Sequence, residues 1–132
     1  MMTARKRVEL LVTQLSANLE NRVSLAEAAR SVGIEATYLS KLFRQYTGMT
    51  FSEWNRRIRV KRAKSYLQDS SLSVTTIANR LGYSDLTTFE RHFRAVEGIP
   101  PKKYQLLWRK KQLHTLAATD RKFKLGLPAR IT

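Results

Sequence analysis

Two short stripes of polar side chains share one pattern. Thr37, Ser40, Lys41 and Arg44 follow one another at offsets of 3, 4 and 7 residues, and Thr87, Glu90, Arg91 and Arg94 repeat those offsets. Side chains at such steps lie on one face of a helix. A face carrying hydroxyls, a base and a terminal arginine has the chemistry to read the major groove of duplex DNA. Lys41 or Arg91 can donate to guanine O6 and N7, a threonine can meet a thymine methyl or a phosphate, and Glu90 can accept from cytosine N4. Arg44 and Arg94, nearer the helix ends, suit phosphates or internal carboxylates. For any one of these residues a solvated surface is the competing reading, and the repeated stripe is the stronger sign.

Such stripes need packed helices behind them, and the apolar spacing supplies these. Leu39, Leu42, Phe43 and Tyr46 form one apolar set, and Phe89, Phe93 and Val96 another. Apolar steps of three and four also run through Val8, Leu11, Val12, Leu15 and Leu19, predicting a first helix over about residues 5–20. Leu25–Val32 reads as a second helix, Phe51–Leu67 as a long fourth and Val74–Leu81 as a fifth. Pro101 fits the first turn of a seventh through Tyr104 and Trp108. Gly48 and Gly98 are expected as left-handed helix stops. Ser24–Glu27 and Thr50–Glu53 have the form of capping boxes. No stretch reads as a strand, so the expected class is all-α with about seven helices.

The chain repeats itself. Ser24-Leu25, Ala28-Ala29 and Val32-Gly33-Ile34 return as Ser73-Val74, Ile77-Ala78 and Leu81-Gly82-Tyr83, and Leu39, Phe43-Arg44 and Gly48 return as Phe89, Phe93-Arg94 and Gly98. Each copy is a helix, a turn opened by glycine and a second helix, the helix-turn-helix arrangement. Two helices of this size cannot bury their own core, so the first, fourth and seventh helices must close it. The expected organisation is a first helix-turn-helix subdomain over 1–49, a linker helix over 50–68, a second subdomain over 69–108 and a basic extension over 109–132. A helix over 50–68 extends ~28 Å, against the ~34 Å between successive major-groove faces on one side of B-DNA. Along it Arg56, Arg57, Arg59, Lys61, Arg62 and Lys64 are expected to face phosphates or solvent.

Charge points the same way. Of 132 residues, 25 are Lys or Arg and 10 are Asp or Glu, a net +15 that implies a polyanionic partner. The segment 109–132 holds 7 basic residues and 1 acidic one, and its Arg121-Lys122-Phe123-Lys124 reads as a basic arm. Without cysteine there is no disulfide, thiolate metal site or thiol nucleophile, and a reducing, intracellular setting fits. His92 and His114 are the only histidines and lack a metal-ligand spacing, and no phosphate loop or nucleophile elbow occurs. An enzyme is therefore not expected, nor a cofactor or small-molecule site. No apolar run spans a membrane and no secretory signal opens the chain. An RNA binder would need exposed aromatics for stacking, whereas these fall mostly on core faces. A module that engages polymerase with weak sequence preference is the remaining rival.

Ile77-Ala78, Leu81-Gly82-Tyr83, Phe89, Phe93-Arg94, Gly98, Pro101 and Tyr104 stand at the spacing of the signature that closes the DNA-binding region of the AraC/XylS family of bacterial transcription regulators. The resemblance covers roughly residues 8–108, and the size is similar to the short, single-domain members. It implies a monomer on an asymmetric promoter site, recruitment of RNA polymerase as an activator, and a bacterial cytoplasmic location at the nucleoid. It places base reading on Thr37, Ser40 and Lys41 and on Leu86, Thr87, Glu90 and Arg91. Phosphate contact is expected separately, from their charge, at Arg44, Arg56, Arg57, Arg94, Lys102 and Lys103. The chain departs from the pattern at Thr37, where short members carry a larger side chain, at Leu86, where they carry a polar one, and at Gln105, commonly Arg. A regulator controlled by its abundance is the expectation. The DNA-binding part of a longer, ligand-responsive regulator is its alternative.

Overall fold

Among the described residues seven helices follow in order: α1 (Ala4–Ala17), α2 (Leu25–Val32), α3 (Ala36–Thr47), α4 (Phe51–Leu67), α5 (Val74–Arg80), α6 (Leu86–Glu97) and α7 (Pro101–Gly126). The computed structural model describes the backbone of residues 2–69 and 71–126, and the side chains among them up to residue 116. The side chains of the Arg121–Lys124 arm lie outside the described residues. There is no strand among the described residues, in keeping with the all-α expectation, and no described helix is long and apolar enough to cross a membrane.

Helix boundaries follow local chemistry. Ser24 Oγ accepts from the Glu27 amide at 3.1 Å while Glu27 Oε1 accepts from the Ser24 amide at 3.2 Å, a closed capping box. The matching box at α4 closes one way only: Thr50 Oγ1 accepts from the Glu53 amide at 3.1 Å. Gly48 and Gly98 end α3 and α6 in the left-handed conformation, at φ 78° and 83°.

The helices enclose two apolar cores. The first joins Val8 and Leu11 of α1, Ala28 and Ala29 of α2, Leu39 and Phe43 of α3, and Phe51 and Trp54 of α4. Phe43 meets Phe51 and Trp54 edge to face, with centroids 5.2 and 5.4 Å apart. The second joins Val60, Ala63 and Leu67 of α4, Ile77 and Ala78 of α5, and Phe89 and Phe93 of α6, with Tyr104 of α7 packed against it. The first, fourth and seventh helices thus close the two units, as the repeat requires, and α4 spends its N-terminal half in one core and its C-terminal half in the other.

Four expectations are corrected. Leu19 does not extend the first helix: α1 ends at Ala17, and Leu19 is buried in the second core. Arg59 is neither solvated nor available to phosphate, being only 3% exposed. Lys64 is held internally by Glu97 at 3.2 Å across α4 and α6. Tyr46 is exposed, with Arg5 over its ring, although it shares the inner side of α3, because it stands in the last turn of that helix. The seventh helix runs past Trp108 to Gly126, so that Arg109, Lys110, Lys111, Leu113 and Leu116 prolong it.

Candidate nucleic-acid interface

Carboxylate caps start both outward helices. Glu35 accepts from the amides of Thr37 and Tyr38, each at 3.0 Å. Asp85 accepts from the Thr88 amide at 2.7 Å and from its hydroxyl at 2.9 Å. These donors hold both carboxyls below their ordinary pKa, with the backbone amides the leading cause. Each cap sets the first turn of a helix whose inner side is pinned by fully buried rings and aliphatics: Leu39 and Phe43 in α3, Phe89 and Phe93 in α6.

With the inner sides fixed, the stripes face outward. Thr37, Lys41 and Arg44 are exposed on α3, and Thr87, Arg91 and Arg94 on α6. Ser40 and Glu90 are half-buried on the corresponding flanks, and Leu86 is 37% exposed at the start of α6. Arg56, Arg57, Lys102 and Lys103 are exposed as well. Among the described residues neither Arg44 nor Arg94 forms an ion pair, so the internal-carboxylate role considered for them has no support.

One groove of about 510 Å³ links the two units. Ser40 of α3 and His92 of α6 line it together with Arg22, Ser52, Asn55 and Arg56. The N-terminal ends of α2 and α4 open onto it at Ser24 and Thr50. Helix N-termini present free amides and positive potential, which favours anions. Arg22 lies 4.9 Å over the Tyr83 ring, and the Tyr83 hydroxyl and His92 Nδ1 are hydrogen-bonded at 3.0 Å. Burial lowers the His92 pKa, and Arg22, Arg56 and Arg91 lower it further against the opposing pull of Asp85. Burial raises that of Tyr83. Cations thus converge on the groove that Ser40 of α3 and His92 of α6 both line. The groove takes Arg56 but not Arg57, which stands about 100° further round α4.

Sequence reasoning missed Arg22, Asn55 and Tyr38. Tyr38 is 50% exposed beside Thr37. Its position, next to buried Leu39, sets it to one side of the inner stripe. Arg22 sits between helices, where periodicity carries no signal. His92 is held by its hydrogen bond with Tyr83 and also lines the groove.

A family model described as a helix-turn-helix domain matches residues 28–106. The chain is 36% identical over 98 residues to the HTH-type transcriptional activator AarP of Providencia stuartii, covering 74% of this chain and 72% of that protein. It spans only 11%, 30% and 36% of three longer regulators that it also matches. Among solved structures, it is similar to an AraC-type transcriptional regulator from Chromobacterium violaceum, with TM-score 0.71, 28% identity, and 80% and 94% of the two chains covered. The DNA-binding domain of AdpA, solved with a target DNA, shares the fold at TM-score 0.77 and 24% identity, over 80% of this chain and 95% of that one. The proteins named here are regulators, as the reading against an enzyme expects.

Proposed function

Since the chain belongs to the AraC/XylS family of DNA-binding transcription regulators, we propose that it binds an asymmetric promoter site in double-stranded DNA as a monomer, with α3 and α6 in successive major grooves on one side. Thr37, Ser40 and Lys41 read one half-site, and Leu86, Thr87, Glu90 and Arg91 the other. Arg44, Arg56, Arg57, Arg94, Lys102 and Lys103 fix the register on phosphates. The observation that carries this reading is the groove shared by Ser40 and His92, which sets both outward helices around one cationic concavity. The proposed units are 1–49 and 69–108, joined by a linker over 50–68, with a basic extension over 109–132. α4 itself is 17 residues, ~25 Å long.

The chain acts as an activator in the bacterial cytoplasm, touching RNA polymerase from the same site. The names of AarP and of the activator RhaR support that direction. A second reading, the DNA-binding part of a longer regulator, rests on the small share of the longer relatives that the chain spans. Selection from random duplexes, followed by sequencing and a mobility-shift titration, tests the proposal. The expected result is a bipartite, non-palindromic motif bound one to one. Equal affinity for every duplex would overturn it, and a palindrome bound by two chains would overturn the monomer.

A further inference from the structure

Arg59 is a buried cation that forms no ion pair with a carboxylate among the described residues. Its Nε donates to Leu81 O at 3.0 Å, and its Nη2 to Leu19 O at 3.3 Å and Asn21 O at 3.4 Å. Its Nη1 donates to Asn55 Oδ1 at 2.8 Å. Three of these acceptors are backbone carbonyls from two separate places: the loop between α1 and α2, and the turn after α5. The guanidinium, fixed on α4, therefore ties a loop of the first unit to the turn that precedes α6. A planar fork with five donors can bridge such acceptors, whereas an ammonium cannot hold all of them at once.

Three further contacts cross the same seam. Leu19 leaves the first unit and is buried in the second core. Arg22 covers the Tyr83 ring. Gly82 lies so close to this loop that a Cβ there would come within 2.6 Å of Glu20 O and 3.1 Å of Leu19 O. A single connecting helix leaves two units free to bend and twist about it. A second crossing point, tied by a buried cation, removes that freedom.

We propose that Arg59, through the loop of residues 18–22, locks α3 and α6 into one rigid body and so makes it the positioning residue that selects half-site separation. The selection part rests on the two-groove reading above, whereas the rigidity does not. Binding energy is then realised only on duplexes whose half-sites already match the fixed geometry, because neither unit can shift to meet an altered spacing.

Because the chain has no cysteine, Gln45→Cys and Ala95→Cys place two unique spin labels on the exposed sides of α3 and α6. Double electron–electron resonance on the full chain without DNA is expected to give one narrow distance. Arg59→Met, and Arg59→Lys should the first variant fail to fold, are expected to broaden it while helical circular dichroism is retained. In parallel, duplexes carrying the selected half-sites at altered separations are titrated. The unaltered chain is expected to prefer one separation by about tenfold or more, the size of a single mismatched base pair. The folded variant loses that preference while keeping its affinity for an isolated half-site. A broad distance in the unaltered chain, or a width unchanged in every folded variant, overturns the lock. A narrow distance with no preference among duplexes leaves the lock standing and overturns the two-groove reading.

Discussion

Lys41 and Arg91 occupy equivalent places in the repeat, are exposed, and form no ion pair among the described residues. Lys41→Ala and Arg91→Ala are each expected to relax preference at one base pair by ~1–3 kcal/mol, read by comparing single-substitution duplexes. Arg44→Ala, a phosphate contact, should instead weaken all duplexes alike. Titration of His92 gives a second residue-level expectation. Its pKa is lowered in the folded chain, so the unfolded chain binds that proton more readily, and stability rises with pH across the interval between the two values. On acidification, stability should fall from about pH 6.5 downward. His92→Gln should remove that slope and leave the later loss, below the ordinary carboxylate range, that comes from protonating the Glu35 and Asp85 caps. The stripes were legible because their offsets are those of a helix turn. Arg59 was not, since an arginine in a run of basic residues reads as solvated until the carbonyls that surround it are known.

Gly48 and Gly82 separate backbone strain from packing. Both have positive φ, at 78° and 80°, but a Cβ at Gly48 meets nothing within 4 Å, whereas one at Gly82 runs into the 18–22 loop. Gly48→Ala is expected to cost on the order of 1 kcal/mol for its left-handed backbone. Gly82→Ala should cost clearly more by chemical denaturation, and equal losses would show that the loop yields freely. Periodicity made the helices readable, because each buries a continuous stripe. It failed at one end, where Leu19 continues the rhythm of α1 after the helix has stopped. Gln105 is the last buried side chain of α7 among the described residues, its Nε2 donating to Leu72 O at 3.1 Å, whereas Tyr104 and Trp108 are half-buried and Leu113 and Leu116 are 64% and 63% exposed. Ending the chain after Lys111 should therefore leave the melting temperature of the remainder unchanged.

Six of the ten carboxylates are engaged within the chain, and among the described residues none of the six forms an ion pair with a cation of the outward stripes. Glu27, Glu35, Asp69 and Asp85 accept from backbone amides, Glu9 lies against Arg5 and Lys6, and Glu97 holds Lys64. The cations around the shared groove and along the outward helices are left to attract a polyanion. If the proposed contacts neutralise ~6–8 phosphates, counterion release gives a log–log slope of affinity against salt near −5 to −7. Titrating the selected duplex across a salt series measures it. The chain ended after Lys111 should give a shallower slope if the basic extension touches phosphate, and the same slope if it does not. A random duplex should show a comparable salt dependence at lower affinity, since phosphates carry no sequence. A flat response would mean that these cations face no phosphate, and neither outward helix would then sit in a groove.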